Sequence, residues 1–186
     1  FWNCEKYYED RISKLQEKIV FPKSTNPKNE ETAEKMLSEN SVSIHIRRSD
    51  YLDDCRKDRY ANICTDAYYE SALSYVKEKL GEVQVYVFSD DIPYVEEKFR
   101  GRGYNIVDWN SGKDCFYDMM LMSKCAANIC ANSTFSMWGA RLNQRSDKIM
   151  IRPFKHDNTQ DFSVEYMKDT WKNWILIQEE GTIVHG

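Results

Sequence analysis

The chain has 186 residues, 41% hydrophobic and 30% charged, enough to enclose one sizeable core and too apolar to stay disordered. Its 26 Lys and Arg against 30 Asp and Glu leave a net charge of −4, so there is no global basic field to hold nucleic acid. No apolar run approaches the ~20 residues of a membrane span. The first residues do not read as a secretory leader. The six cysteines, Cys4, Cys55, Cys64, Cys115, Cys125 and Cys130, include no CxxC pair. That argues against a zinc site of the usual spacing and for reduced, mostly buried thiols, and the compartment expected is the cytoplasm. The opening FWNCEKYY, without a methionine, reads as a piece of a longer protein.

Residues 5 to 20 put Tyr8, Ile12, Leu15 and Ile19 on one face, which predicts an amphipathic helix. Pro22 and Pro27 bracket a loop, and Asn29 before Glu30 and Glu31 has the form of a cap and acidic first turn for a helix to about Glu39. Val42, Ile44 and Ile46 alternate with polar residues, predicting a strand over 42–47 that stops at Arg47, Arg48, Ser49 and Asp50. A polar loop follows to about 64. Thr65 then caps a helix along Tyr69, Leu73, Val76 and Leu80, with Gly81 as its stop. A strand over 83–88 runs into Ser89, Asp90 and Asp91, and Pro93 suits the first turn of the next helix. A strand over 104–107 ends in Asp108 and Trp109. Residues 114–125 read as a helix, 126–131 as a short buried strand, 135–143 as a helix and 148–152 as a fifth strand. The remainder, 153–186, is less regular, with Trp171 and Trp174 flanking a last helix and WILIQ as a further strand.

Strand and helix alternate at crossover spacing, so the fold expected is α/β: a Rossmann-like doubly wound parallel sheet with helices on both faces. His45/Arg47/Arg48, Ser89/Asp90/Asp91, Asp108 and Asn132/Ser133/Thr134 all fall at or just past strand ends, which share one rim of such a sheet. Paired arginines suit a diphosphate, a carboxylate suits the N1 and N2 donors of guanine, and Ser or Thr at a helix start can cradle a phosphate oxygen. Duller readings stand beside these. Asp90, Asp91, Ser133 and Thr134 can serve as helix caps, and His45 as a satisfied core histidine. Arg47 and Arg48 can form an ion network with Asp50, Asp53 or Asp54. Met119, Met120 and Met122 read as core packing. Gly101 and Gly103 open no helix, the wrong context for a dinucleotide fingerprint.

HIRRSDY, 45–51, resembles the HxRRxD motif of GDP-fucose-dependent α1,2-, α1,6- and protein O-fucosyltransferases. Residues 118–125, DMMLMSKC, and 129–140, ICANSTFSMWGA, are similar to the DxxLMSxC and I.ANSSFSWWGA signature of glycosyltransferase family 11, the α1,2-fucosyltransferases. VYVFSDD, 85–91, fits the same family. Ser49 stands where glycine is common and Met137 where tryptophan is common. The family's G-G-L-G-N-Q-like segment and the half that carries it do not appear.

The resemblance implies one domain over 1–186, the donor-binding half of a GT-B type enzyme. Residues 1–40 would be a helical lead-in and 153–186 a C-terminal extension, with the acceptor-binding half absent. It implies transfer of L-fucose from GDP-β-L-fucose to the 2-hydroxyl of a terminal galactose, with inversion and without a metal. The partners would be GDP-fucose and a galactose-terminated glycan, with no nucleic acid, and peripheral attachment of the parent enzyme at the cytoplasmic face of the membrane stays open. The residues implied in catalysis are Arg47, Arg48 and Asp50. Those implied at the donor are His45, Arg47, Arg48, Ser89, Asp90, Asp91, Asn132, Ser133, Thr134 and Phe135. Three alternatives remain: a GDP or GDP-fucose binding module without turnover, an α1,6- or protein O-fucosyltransferase relative, and a scaffold domain with structural arginines.

Overall fold

A computed structural model describes residues 4–185; the reading of Phe1 and Trp2 as a cut start lies outside them. The helix expected over 5–20 is divided. Two 3-10 turns, Glu5–Tyr7 and Glu9–Arg11, precede α1, Ile12–Lys18. The break falls at Tyr8, whose φ of −147° is not helical and whose ring packs on Trp138.

The second helix, α2, is Pro27–Ser38, and its cap is Asn26 rather than Asn29. The Asn26 side chain accepts from the Lys28 amide, and Pro27 occupies the first position, where its missing N–H goes unmissed. Asn29 lies inside the helix and is buried in a polar network described below.

β1 is Ser41–Ile46, fully buried. A four-residue turn of helix, α3 at Lys57–Tyr60, interrupts the loop that leads to α4, Asp66–Leu80. Thr65 caps α4 through the Tyr68 amide, and Gly81 ends it at φ +76°. There follow β2 Gln84–Ser89, α5 Ile92–Lys98, β3 Asn105–Val107, α6 Phe116–Met122, β4 Ala127–Ile129, α7 Thr134–Leu142 and β5 Ile149–Pro153. The chain closes with α8 Val164–Thr170, β6 Ile175–Ile177 and β7 Ile183–His185. The last helix is therefore not flanked by Trp171 and Trp174. It ends before both indoles, which are buried edge to face and fill the space beneath the β5 end of the sheet.

The seven strands lie in the order β3-β2-β1-β4-β5-β6-β7. All neighbouring pairs are parallel except β6 with β7. That antiparallel pair is a departure from the all-parallel expectation. The connection is too short for a crossover, and Gly181, at φ +90°, closes the hairpin where a side chain would be strained.

Val42, Ile44 and Ile46 pack one face of the sheet onto Tyr68, Tyr69, Ala72 and Val76 of α4. On the other face Tyr86 and Phe88 meet Met36, Met120, Leu121 and Met122, so Met120 and Met122 are core, whereas Met119 is only half-buried. A Cβ on Gly139 would stand 2.9 Å from that of Met122, and this is why α6 and α7 can lie so close. All the cysteines are free thiols; Cys125 and Cys130 are buried, whereas Cys55 and Cys115 are exposed on polar turns. Among the described residues no helix is long and apolar enough to cross a membrane.

Candidate functional site at the carboxyl edge of the sheet

The strand order reverses direction between β1 and β4, which places a crevice at their carboxyl ends. The crevice is bounded by the turn after β1, the turn after β2 and the start of α7.

The first two turns are tied together. Asp90 accepts the backbone N–H groups of Arg48 at 2.9 Å and Ser49 at 3.1 Å, one on each oxygen, and its carbonyl accepts the Ser49 hydroxyl at 2.9 Å. Arg47 donates from Nε to Asp50 at 2.8 Å and lies 3.3 Å from the Asp90 carboxylate. Arg48 donates from Nε to Asp91 at 3.0 Å and lies flat on the Tyr94 ring, 3.5 Å from its centroid. Asp91 also caps α5 through the Tyr94 amide, and Ser89 accepts the Asp91 amide. Asp50 is further held by Arg56.

The capping and ion-network readings are thus both present, with Asp50, Asp90 and Asp91 as the partners of the arginines. Asp53 is not among them, and Asp54 pairs with Lys57. About a third of the Arg47 and Arg48 side chains stays exposed, at 33% and 29%. Among the described residues the terminal nitrogens of Arg48 have no hydrogen-bond partner, so its fork is open to an incoming anion.

Asn132 is buried and holds the crevice wall together. Its amide nitrogen donates to the carbonyls of Tyr60 and His156, and its own carbonyl accepts the Tyr51 hydroxyl at 3.0 Å. Ser133 starts α7 without a side-chain cap bond, and Thr134 is exposed, so the first N–H groups of this nine-residue helix are left without a side-chain cap. Phe135 stands on the opposite side of that helix start, its ring 5.7 Å from that of His45.

His45 belongs to this second side, not to the arginine cluster. Burial, with some help from the charge of Arg47, pushes its pKa down to about 3, so the ring is neutral. Its Nδ1 has no partner among the described residues. Asp108 follows the edge strand β3 and, among the described residues, makes no bond to the cluster.

Beyond β3, Asn29 donates to Asn110 and to Ser24 at 2.9 Å, and accepts from Trp109 at 2.8 Å. Asn110 in turn donates to Asp118 at 2.9 Å. Burial pushes the Asp118 carboxyl up to about 7, against the opposing pull of the Asn110 bond. This network explains why an aspartate stands at the start of α6.

Three wall residues carry no signal as single letters in the sequence: Tyr51, Tyr60 and Tyr94. Tyr51 and Tyr60 stack at 4.8 Å between rings, and with Tyr94, Arg47 and Arg48 they line a cleft of about 300 Å³. An aromatic directly after RRSD and another three residues after Asp91 hinted at Tyr51 and Tyr94, and nothing local pointed to Tyr60. Among the described residues no group of three His, Cys, Asp or Glu is placed to hold a metal ion.

The sequence matches the profile of Glycosyl transferase family 11 over residues 5–178. It is 41% identical over 117 residues to the O-antigen biosynthesis glycosyltransferase WbnK of Escherichia coli, covering 62% of this chain and 39% of that protein. It is 35% identical over 156 residues to an alpha-1,2-colitosyltransferase of Escherichia coli, covering 82% of this chain and 53% of the relative. The chain thus spans about half or less of the curated relatives it matches. The profile runs from the 3-10 turns before α1 through β6 and takes in every residue of the crevice described above. The chain belongs to glycosyltransferase family 11.

Proposed function

We propose that the chain is the donor-binding portion of an α1,2-fucosyltransferase, which transfers L-fucose from GDP-β-L-fucose to the 2-hydroxyl of a terminal galactose. The observation that carries this is the pair Arg47 and Arg48, fixed by Asp90 and Asp91 at the switch point and sharing a cleft with Asn132, just before the uncapped start of α7. In the reaction the acceptor oxygen attacks the anomeric carbon from the face opposite the nucleotide. The bond from that carbon to the β-phosphate oxygen breaks, and the hydroxyl proton passes to a base. Charge grows on the departing GDP, and the guanidiniums and helix N–H groups are the donors that meet it.

Within this reading Arg47 and Arg48 hold the β-phosphate, and Asp50 positions Arg47. Asn132, Ser133, Thr134 and Phe135 border the phosphates. His45, neutral and with a nitrogen to spare, lies near the nucleotide. Ser89 and the aspartates hold the turn, and one of Asp90 or Asp91 contacts guanine with a lone pair left over from the protein bonds. The donor supplies the carried sugar, and no resident cofactor enters the scheme. The base belongs to the acceptor-binding half of a GT-B arrangement, and the acceptor is a galactose-terminated glycan.

A second reading is favoured by the 35% identity to the colitosyltransferase: the same site with a different deoxy sugar on the nucleotide. Calorimetric titration of GDP, GDP-fucose, GMP and ADP tests the main proposal, on the chain and on Arg48→Ala. Binding that needs the second phosphate, prefers guanine and collapses in the variant supports it. Equal affinity for GDP in both proteins refutes the arginine assignment.

A further inference from the structure

A second cavity, of about 440 Å³, opens on the other side of the α7 start, at the carboxyl end of β5. Thr134, Arg152, His156, Thr170 and Trp171 line it, with Tyr60 shared from the crevice wall. Arg152 is 1% exposed. Its Nε donates to the carbonyl of Pro153 at 3.0 Å, and its guanidinium lies 3.8 Å from the centre of the Trp171 ring. Among the described residues no carboxylate pairs with it. The other buried arginine, Arg141, has the Glu5 carboxylate 3.8 Å away. The buried Asp157, which lines the same cavity with Arg59, is already occupied, by Arg59 at 3.0 Å on one oxygen and by Thr159 on the other.

Burial and the neighbouring charge of Arg141 lower the Arg152 pKa only to about 10, so the side chain remains a cation at neutral pH. Two buried polar atoms on the same cavity, Nδ1 of His156 and Oγ1 of Thr170, have no protein partner among the described residues. A buried charge without a counter-charge is costly, and unsatisfied buried groups are rare enough that two of them on one cavity beside such a charge call for a ligand. Water could bond the histidine and the threonine but would supply no charge. The aromatic walls add faces on which a sugar ring can lie.

We propose that this cavity is an anion-binding subsite for a phosphate- or carboxylate-bearing carbohydrate, with Arg152 as its fixed counter-charge. The word carbohydrate rests on the transferase reading. The anion comes either from the diphosphate of the donor, reaching across the α7 start, or from an acidic sugar of the acceptor.

The test is titration of the full chain and of Arg152→Met with guanosine, inorganic pyrophosphate, GDP and a glucuronate-terminated disaccharide, at constant ionic strength. The expected result is a loss of about tenfold or more for an anionic probe, the scale of one charge-assisted hydrogen bond, with guanosine unchanged. A loss confined to pyrophosphate and GDP assigns the subsite to the donor, and a loss confined to the disaccharide assigns it to the acceptor. Equal affinity of both proteins for every anionic probe, or no binding of any anionic probe to the natural chain, overturns the proposal. Should the methionine variant fail to fold, the Nε–H resonance of Arg152 in the natural chain decides. It must shift as a bound anion is added, and a resonance that stays put overturns the assignment. GDP binding that collapses in Arg48→Ala but survives in Arg152→Met, with no response to the disaccharide, sinks the second subsite and leaves the family reading intact.

Discussion

Two arginine sites stand on either side of the α7 start, and they solve the same electrostatic problem in opposite ways. At the end of β1, Arg47 and Arg48 are partly exposed and already neutralised by Asp50, Asp90 and Asp91. At the end of β5, Arg152 is buried against Trp171 with no carboxylate beside it. The β1 turn is thus built to be rigid before a ligand arrives, because its carboxylates hold both guanidiniums and two backbone N–H groups in place. The β5 cavity holds a charge that only an incoming anion would balance. Screening should separate them too: added salt weakens interactions at the exposed pair much more than at the enclosed one.

The largest effect that would break or sharpen this contrast is expected at Arg48. In a complete enzyme Arg48→Ala should lower the transfer rate by ~100-fold or more, the scale of a charge-assisted contact that strengthens in the transition state. Steady-state kinetics within tenfold of the natural enzyme would remove Arg48 from the site. Asp90→Ala comes next, and the sign is the informative part. If the aspartate merely competed for the arginines, deleting it would tighten GDP binding. Because it holds the backbone of the turn, affinity should instead fall about tenfold and stability by about 2–3 kcal/mol, the cost of freeing two N–H groups and an arginine partner. Calorimetry and denaturant melts read both quantities.

One buried histidine, His45, lies on β1 against Phe135, and another, His156, lines the β5 cavity, so pH bears on the fold near both regions. His45 and His156 are pushed down from 6.5 to about 3 and about 4, in both cases chiefly by burial. Both are neutral in the folded chain while the unfolded chain gains protons, so the stability they confer is full above about pH 6.5 and lost as pH falls toward those values. The slope is about 1.4 kcal/mol per pH unit for each histidine between roughly 4 and 6.5. Asp118 opposes it. Its carboxyl is raised from 3.8 to about 7, so its contribution is full below 3.8 and disappears as pH rises through 7. Asp118→Asn should therefore steepen the acid limb and raise stability at pH 8, and melting curves from pH 4 to 8 would show it. A saturating anion in the β5 cavity should weaken the His156 share of that slope and leave the His45 share alone. The smallest effect is a control. Gly139→Ala, far from any ligand, should cost about 1 kcal/mol through its clash with Met122, less the helix propensity gained, and leave both affinities unchanged.

Much of the architecture was readable from local patterns. The alternation around Ile44, the Thr65 cap and Gly81 stop, and the polar break at Arg47 are each decided within a few residues by backbone sterics and hydrogen bonding. So was membership of the family, because the three motifs keep their order and spacing. The cap of α2 was misplaced because Asn29 resembles a cap until Trp109 and Asn110, distant in sequence, are seen to bond its side chain. The fate of 153–186 was equally hidden: α8 ends before Trp171 because both indoles are drawn into the core under β5.

The amino-acid order by itself therefore determined the alternating strands and helices and placed two arginines at the end of the first strand. It could not determine which charges meet. The partners of Arg47 and Arg48 include Asp90 and Asp91, some forty residues away, and the isolation of Arg152 depends on α8 and Trp171 closing over it. Periodicity and caps are local properties of the backbone, whereas the pairing and burial of a charge depend on distances that exist only once the sheet is assembled.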